Sequence, residues 1–184
     1  MQAPSGQMTA PALQALLKDG TLTGEWVLDP RKSSIRLKSR SMAGLVRVNG
    51  VFREDSGSGT VSPDGEISGA VTVAAASIDT KNKKRDTHLR SADFFDSGTN
   101  PDIAFAAAGI RPSGQGVAVA GALTVRGRTR PLSFDAVASV HGDGEIWLDA
   151  EVVINRADYG LTWNQMGLVS VNNTLIVHAV FTRR

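Results

Sequence analysis

The sequence has no cysteine, only three histidines and few aromatic residues, which are six Phe, three Trp and one Tyr. Without cysteine the chain forms no disulfide, carries no thiolate nucleophile and builds no cysteine-based zinc site. The histidines, His88, His141 and His178, are never four residues apart, so no metal site is predicted. No stretch approaches the roughly 20 consecutive apolar residues of a membrane-spanning helix, and no stable membrane insertion is expected.

An excess of charge of one sign is also lacking. The 20 basic and 18 acidic residues are interspersed and leave a net charge of +2. The densest basic segment, Lys81–Arg85, contains no run of four cations. Proteins that bind nucleic acid concentrate positive charge on one face, so no nucleic-acid partner is predicted. A hydrophobic fraction of 41% is typical of a folded globular chain.

The first 23 residues are predicted to form a flexible tail and one short helix. Residues Met1–Thr9 are small and polar, which is typical of an irregular terminus. Pro11–Lys18 has a proline in its first turn, and Leu13, Leu16 and Leu17 share one face. Because so short a helix is not stable alone, this face must dock on its own domain, on a second subunit or on a membrane surface.

From Gly24 onward the hydrophobic pattern changes to a period of two, which is typical of strands. Ile35 and Leu37, for example, alternate with charged residues. Turns rich in Gly, Pro, Asp and Ser separate eight or nine such segments. The pattern predicts one all-β domain over residues 24–184, an antiparallel barrel or sandwich. The charged segment Lys81–Ser97 breaks the pattern and predicts a short helix between strands.

Several of these strands carry unusually small side chains on one face. In Val71–Ala75, Ile103–Ala107 and Val117–Ala120, medium-sized apolar residues alternate with alanine or other small residues. A filled eight-stranded barrel needs bulky inward residues, whereas a barrel that holds a ligand leaves that space open. A sandwich whose two sheets meet directly fits the composition equally well.

Seven segments resemble the YceI-like, or polyisoprenoid-binding, family. The resemblance extends from Gly24 to Arg184, about seven-eighths of the chain. The segments are Trp26–Pro30, Val46–Phe52, Ser77–Thr80, Arg85–Asp96, Pro101–Phe105, Gly121–Gly127 and Ile154–Asn164.

This resemblance implies an elongated, lipocalin-like antiparallel β-barrel around an apolar tunnel. Members are often dimeric and hold a long isoprenoid, or a similar amphipathic lipid, without catalysis. A homodimer is therefore expected, and the only cofactor-like molecule implied is a bound isoprenoid or quinone-like lipid. A non-catalytic carrier or storage protein is the function that follows.

Two departures from the family qualify this expectation. Members often carry a histidine after the second strand, where this chain has Ser39-Arg40-Ser41, so no histidine contact to a ligand head group is expected here. Residues 1–23 also lack the basic and apolar segments of a secretory leader. This fits the cytosolic branch of the family, and a cytoplasmic location is expected.

The ligand-binding residues implied are the inward-facing residues of the barrel, together with two arginines as possible head-group contacts, Arg40 and Arg47. The predicted lining consists of Ile35, Leu37, Val46, Val48, Phe52, Val71, Val73, Ile103, Phe105, Val119, Leu123, Phe134, Leu148 and Trp163.

Two alternatives to a lipid carrier remain open. The first is a small-molecule enzyme in which Asp86 orients His88 and Ser91 is the nucleophile. The spacing speaks against it, because residues two apart on a helix face different ways. In the structural interpretation of Arg85–His88, this helix caps the barrel. The second alternative is a structural or interaction barrel with a filled interior.

Other side chains have two interpretations each. Trp147 alternates with apolar neighbours, which favours an outward position, and Trp163 either stacks on a ligand or closes one mouth of the barrel. Arg126, Arg128 and Arg130 flank a hairpin turn. They form either a solvated strand edge or a clamp for a phosphate head group.

Overall fold

The computed structural model describes residues 6–142, 144–164, 167 and 169–184. Two helices, α1 (Ala10–Lys18) and α2 (Lys83–Arg90), and two short 3-10 turns, Ala75–Ser77 and Arg156–Tyr159, accompany the strands. The strands are β1 (Gly6–Gln7), β2 (Gly24–Leu28), β3 (Ser34–Ser41), β4 (Val46–Phe52), β5 (Asp55–Val61), β6 (Ile67–Ala74), β7 (Ile78–Asp79), β8 (Asp102–Ser113), β9 (Gly116–Val125), β10 (Arg128–His141), β11 (Glu145–Asn155) and β12 (Asn172–Arg183).

Eight strands form a closed antiparallel barrel in the order β2-β5-β6-β8-β9-β10-β11-β12. The ring closes because β11 pairs with both β10 and β12, and β12 pairs with β2. The predicted all-β barrel is therefore confirmed, and the sandwich alternative is wrong.

The barrel is elongated because two of its wall positions are shared by two strands each. The β2 and β3 strands run one after the other along β12, which pairs with β2 through Phe181–Arg183 and with β3 through Thr174–His178. On their other side, β5 pairs with β2 and β4 pairs with β3. The β3–β4 hairpin therefore prolongs the wall at one end of the barrel.

Helix α1 covers the opposite end of the barrel. Its leucines Leu13 and Leu17 are buried in one cluster with Leu22, Trp26 and Val61. The Trp26 Nε1 donates a hydrogen bond of 3.0 Å to the Leu22 carbonyl, which fixes the chain that follows the helix. Of the three docking partners that the sequence left open, α1 uses its own domain.

The chain before α1 is more ordered than the sequence suggested. Gly6 and Gln7 pair with Val140 and Ser139 of β10, and the Met8 N–H bonds to the Ala138 carbonyl at 2.8 Å. The prediction of an irregular tail is wrong for these residues, because the exposed edge of β10 offers backbone partners. Residues 1–5 lie outside the described residues.

Helix α2 lies near the β3–β4 end, inside the segment where a helix was predicted. The Asn82 side chain caps it by accepting a hydrogen bond from the Arg85 N–H at 3.0 Å. Phe94 and Phe95, which follow the helix, are buried in the core cluster at this end. The helix and its following loop therefore cover part of the barrel opening.

Candidate ligand-binding tunnel

An apolar cavity of about 540 Å³ runs along the inside of the barrel. It extends from Leu13 and Leu17 of α1 to Arg85 and His88 of α2, and all eight barrel strands contribute to its wall. The volume lies in the range of roughly 300–1,000 Å³ that is typical of small-molecule sites. We call this cavity the tunnel.

Several large inward-facing side chains of the barrel are only half-buried. Leu37, Phe105, Phe134 and Leu148 all line the tunnel and are not fully buried, although they face inward. In a close-packed core such side chains would contact one another across the axis and lose their exposure. The partial exposure therefore comes from open space inside the barrel.

Glycine on two strands widens the tunnel on one side. Gly59 of β5 pairs with Trp26 on one side and with Gly69 of β6 on the other. Both glycines line the tunnel, so this part of the wall carries no side chain. A Cβ added at Gly59 would meet only a backbone oxygen of Ser68, at 3.4 Å.

All of the predicted lining residues except Val46 border the tunnel, and Arg40 borders it too. Val46 and Arg47 do not border it, so the prediction that they belong to the site is wrong. Val46 pairs with Ser41 at the tip of the hairpin, at the limit of the cavity wall. Arg47 is directly opposite Arg40 in the ladder and is exposed on the outer face. Ligand contact by the bordering residues stays a prediction.

Several residues that line the tunnel were missed by sequence reasoning. Leu13, Leu17 and Leu22 close one end of the tunnel. Tyr159 and Leu161 also line it and belong to the core cluster that contains Phe94 and Phe95. The spacing of four residues between Leu13 and Leu17 signalled a docking face, but not which cavity it would close. Nothing in the local pattern around Tyr159 marks it as part of a barrel interior.

The polar residues of the tunnel wall gather mainly at the end opposite α1. Ser39, Arg40 and Ser41 of β3 lie there with Arg85, His88 and Asn173. Ser39, Ser41 and His88 border the tunnel there and are only partly buried, so the tunnel is accessible at this end, which we call the mouth. Ser58, Thr60 and Ser68 also border the tunnel on the glycine side, but their side chains are exposed on the outer face of β5 and β6.

Arg85 is held in a fixed position at the mouth. Its Nε donates to the Thr80 hydroxyl at 2.8 Å, and its Nη2 donates to the Thr80 carbonyl at 2.9 Å. Thr80 in turn donates through its N–H and its hydroxyl to the buried Asp86 carboxylate, at 3.0 and 2.5 Å. This network orients a cation beside the mouth before any ligand arrives.

His88 packs among aromatic rings beside the mouth. Its ring meets the Trp163 ring edge to face at 4.5 Å and the Phe94 ring at 5.1 Å. The Nε2 of His88 is 2.9 Å from an Asp93 carboxylate oxygen. Trp163 therefore lies where the tunnel meets the loop after α2.

The groups of the proposed catalytic cluster do not contact one another as an acid–base relay requires. Asp86 binds Thr80, and His88 binds Asp93. The Ser91 hydroxyl donates to the backbone carbonyl of His88 at 2.6 Å, not to its ring. In the described part of the chain, no three His, Asp or Glu side chains cluster as metal ligands.

A buried arginine organises the loop between β11 and β12. The Arg156 guanidinium donates to the carbonyls of Leu161 at 2.6 Å, Trp163 at 2.8 Å and Ser170 at 2.9 Å. Burial lowers the pKa of Arg156 from its ordinary value. We call this connection between β11 and β12 the mouth loop. Because the bonds hold its backbone at both Leu161–Trp163 and Ser170, Arg156 fixes the position of Trp163.

The arginines of the β9–β10 hairpin do not border the tunnel. Arg126 donates to the Phe94 carbonyl at 3.1 Å, and Arg130 donates to the Thr129 carbonyl at 3.1 Å. The Arg128 guanidinium packs against Gly160. A clamp on the head group of a tunnel ligand is therefore wrong for these residues, and β10 is not a free edge there because it pairs with β9.

Trp147 lies on the outer face of the barrel, as its alternation with Ile146 and Leu148 predicted. Its ring stacks on His141 at 4.0 Å and meets His178 edge to face at 5.3 Å. Its Nε1 donates to Glu145 at 3.1 Å. Ile146 and Leu148 face the tunnel instead.

The model of the YceI-like domain family matches residues 26–181 of the chain. The chain belongs to the YceI-like domain family. The match begins within β2, ends within β12 and includes part or all of each of the eight barrel strands. Of the helices in the described ranges, none is long and apolar enough to cross a membrane.

Curated relatives of this YceI-like domain match over part of its length. A UPF0312 protein of Serratia proteamaculans is 34% identical over 113 residues, which is 58% of this chain and 58% of the relative. The protein YceI of Escherichia coli is 31% identical over 113 residues, again 58% of each chain. The matched segment thus spans less than two thirds of these relatives.

Solved structures share the architecture of this YceI-like domain. Burkholderia cenocepacia BcnA has a TM-score of 0.76 at 23% identity, covering 83% of this chain and 98% of that one. A polyisoprenoid binding domain from Saccharophagus degradans, implicated in plant cell wall breakdown, has a TM-score of 0.70 at 16% identity. That match covers 86% of this chain and 98% of the other. At these identities the likeness establishes the fold.

Proposed function

We propose that this YceI-like domain binds one long amphipathic lipid, an isoprenoid or an isoprenoid quinone, with its tail in the tunnel. The observation that carries the proposal is the open apolar interior of about 540 Å³, with an exposed polar mouth. A relative with the same fold is described as a polyisoprenoid binding domain, which supports an isoprenoid as the ligand class.

The physical driving force is the removal of the tail from water. Each buried methylene contributes about 0.8 kcal/mol, so even part of an isoprenoid chain outweighs any single polar contact. Ordering the flexible tail and losing free rotation offset much of this gain. Shape and apolarity therefore select the tail, with little discrimination between tails of similar width.

The polar head belongs at the mouth. The preoriented Arg85 borders the tunnel there, and guanidinium groups bind carbonyl, carboxylate or phosphate oxygens well. The backbone of Arg40 borders the tunnel at the same end, but its side chain lies on the outer face of β3, so Arg85 is the better placed of the two. The α1 end is closed by Leu13 and Leu17, which offer a head group no partner. The lipid therefore enters with its tail towards α1.

We propose a non-catalytic role, that of a carrier or a store. The arrangement of Asp86, His88 and Ser91, each bonded elsewhere, gives an enzyme hypothesis no support. A homodimer and a cytoplasmic location, both expected from the sequence, stay predictions that sedimentation and cell fractionation test.

Extraction and titration test the binding proposal. Organic extraction of the purified protein, followed by mass spectrometry, should yield a long-chain lipid in an amount approaching one per chain. After delipidation, an isoprenoid quinone should quench the fluorescence of Trp26 and Trp163, which both line the tunnel, in a saturable manner. No extracted lipid and no saturable quenching would together refute the proposal.

Two neighbouring alanines of β8 provide a matched pair of variants. Ala107 lines the tunnel, whereas Ala106 is exposed on the outer face. Ala107→Phe should occupy the space of the tail and lower quinone affinity at least tenfold. Ala106→Phe adds the same ring outside and should leave the affinity unchanged. Equal effects of the two substitutions would show that the ligand does not lie in the tunnel.

A further inference from the structure

The exposed hydrophobic side chains of this YceI-like domain are concentrated around the mouth. Leu45 is 86% exposed and Met42 is 55% exposed, and both lie in the turn of the β3–β4 hairpin. Val171 is 43% exposed, beside the hairpin, because the Ser170 N–H bonds to the Arg40 carbonyl at 2.9 Å. Val153 is 63% exposed, close to the end of β11 at the mouth. Across the described residues these are the exposed large hydrophobics.

The same hairpin carries only positive charge. Its outer face holds Arg36, Lys38 and Arg40 on β3 and Arg47 on β4, and Ser34–Phe52 contains no Asp or Glu. Arg40 and Arg47 are directly opposite each other in the ladder, an arrangement that destabilises a hairpin. Within the described part of the chain, none of these four cations takes part in a salt bridge.

An apolar tip flanked by unpaired cations complements one kind of surface. Apolar side chains are stabilised when they enter the boundary between head groups and acyl chains. Lysine and arginine are stabilised beside anionic lipid phosphates. A second copy of the chain fits less well, because a two-fold interface would bring the cations of each hairpin towards those of the other.

We propose that the mouth end of this YceI-like domain docks reversibly on the surface of an anionic lipid bilayer. Met42 and Leu45 enter the head-group region, and the hairpin cations contact lipid phosphates. Since Arg40 and Ser41 border the tunnel beside the same turn, docking places the mouth against the bilayer. Docking stands independently of the proposed function, whereas lipid transfer through the docked mouth rests on it.

Flotation of the full chain with vesicles tests the docking. Vesicles of phosphatidylcholine with phosphatidylglycerol should bind the protein at least tenfold more tightly than vesicles of phosphatidylcholine alone, and high salt should weaken that binding. Met42→Ser combined with Leu45→Ser should abolish the binding. Lys38→Gln combined with Arg47→Gln should weaken it about thirtyfold.

The matched control is Arg31→Gln combined with Arg111→Gln, which removes two cations that lie outside the hairpin and should change vesicle binding less than twofold. All of these variants alter surface residues, and melting curves identify any that do not fold. Met42→Ser with Leu45→Ser should keep its quinone affinity, because neither residue lines the tunnel.

Three outcomes would overturn docking. The first is that the wild-type chain does not bind anionic vesicles in flotation. The second is that Met42→Ser with Leu45→Ser binds them as well as the wild type. The third is a wild-type dimer in sedimentation that this double variant converts to monomer without a change in vesicle binding, which would assign the patch to a second copy. Vesicle binding without quinone binding would support docking and refute only the proposed function.

Discussion

Phe105 shows at the scale of one residue how a hollow barrel differs from a packed core. Its ring lies 5.4 Å from that of Phe134, yet the side chain keeps part of its exposure inside the tunnel. Phe52, by contrast, is 4% exposed and packs against Phe95 at 6.0 Å. Phe105 therefore faces open space in the barrel, whereas Phe52 packs closely against its neighbours.

Truncation of these two residues should have unequal costs. Phe52→Ala should destabilise the lipid-free protein by about 3–5 kcal/mol, because it leaves a cavity in a packed cluster. Phe105→Ala should cost about half as much, because it only enlarges space that already exists. Denaturant unfolding of the delipidated variants measures both values. Equal losses at the two positions would mean that the centre of the barrel is solid.

Arg156 is the buried charge on which the mouth loop depends. Arg156→Gln should destabilise the protein by about 2–4 kcal/mol, because it leaves buried carbonyls without donors. Arg156→Lys keeps the charge but lacks the planar fork that reaches three carbonyls, so it should recover only part of the loss. Urea denaturation compares the three proteins. Full recovery by lysine would show that charge alone matters at this position.

Among the elements, helix α1 closes one end of the barrel. Leu13→Ala should lower stability by about 2–5 kcal/mol, because Leu13 is 4% exposed and its loss leaves a cavity beside Trp26. Gln14→Ala, on the exposed face of the same helix, is the control and should be neutral. Thermal melts and lipid content after purification report on both. An unchanged melting temperature for Leu13→Ala would mean that the helix does not contribute to the core.

The turn between β7 and α2 depends on Asp79. The Lys81 backbone N–H, the Arg53 guanidinium and the Lys81 ammonium hold the pKa of Asp79 at about 2, below its usual 3.8. A lowered pKa means that the ionised carboxylate stabilises the fold above about pH 4, and that this contribution is lost as the pH falls towards 2.

Asp79→Asn tests this pH dependence. The variant should be less stable than the wild type at pH 5, and the difference should shrink between pH 4 and pH 2, where the wild-type carboxylate becomes protonated. Urea unfolding at several pH values measures the difference. A gap that stays constant down to pH 2 would contradict the role of the carboxylate charge.

At the scale of the whole molecule, an open interior means that a bound lipid completes the hydrophobic core. A ligand that binds only the folded state stabilises it by about 2.7 kcal/mol at a concentration one hundred times its Kd. The delipidated protein should therefore melt at a lower temperature, and an isoprenoid quinone should restore the difference. Ala107→Phe should weaken this restoration, whereas Ala106→Phe should not. A melting temperature that does not change when the quinone is added would contradict the proposed site.

The sequence by itself determined the elements and their class. Alternation of apolar and polar residues marks the strands, and leucines four residues apart together with a charged interruption mark the two helices. These are local signals, because the side-chain period of a strand or helix repeats within a few residues. The family resemblance added the elongated barrel to this local description.

Only the tertiary structure decided which side chains meet inside the barrel and where the tunnel ends. Closure depends on β12 pairing with β2, and the mouth depends on β3 lying along β12, in each case more than 130 residues away in sequence. Val48 lines the tunnel and Val46 does not, although both have the same parity on β4. The cavity ends close to Val46, whose partner Ser41 still borders it, and where the cavity ends is set by pairings between strands far apart in the chain.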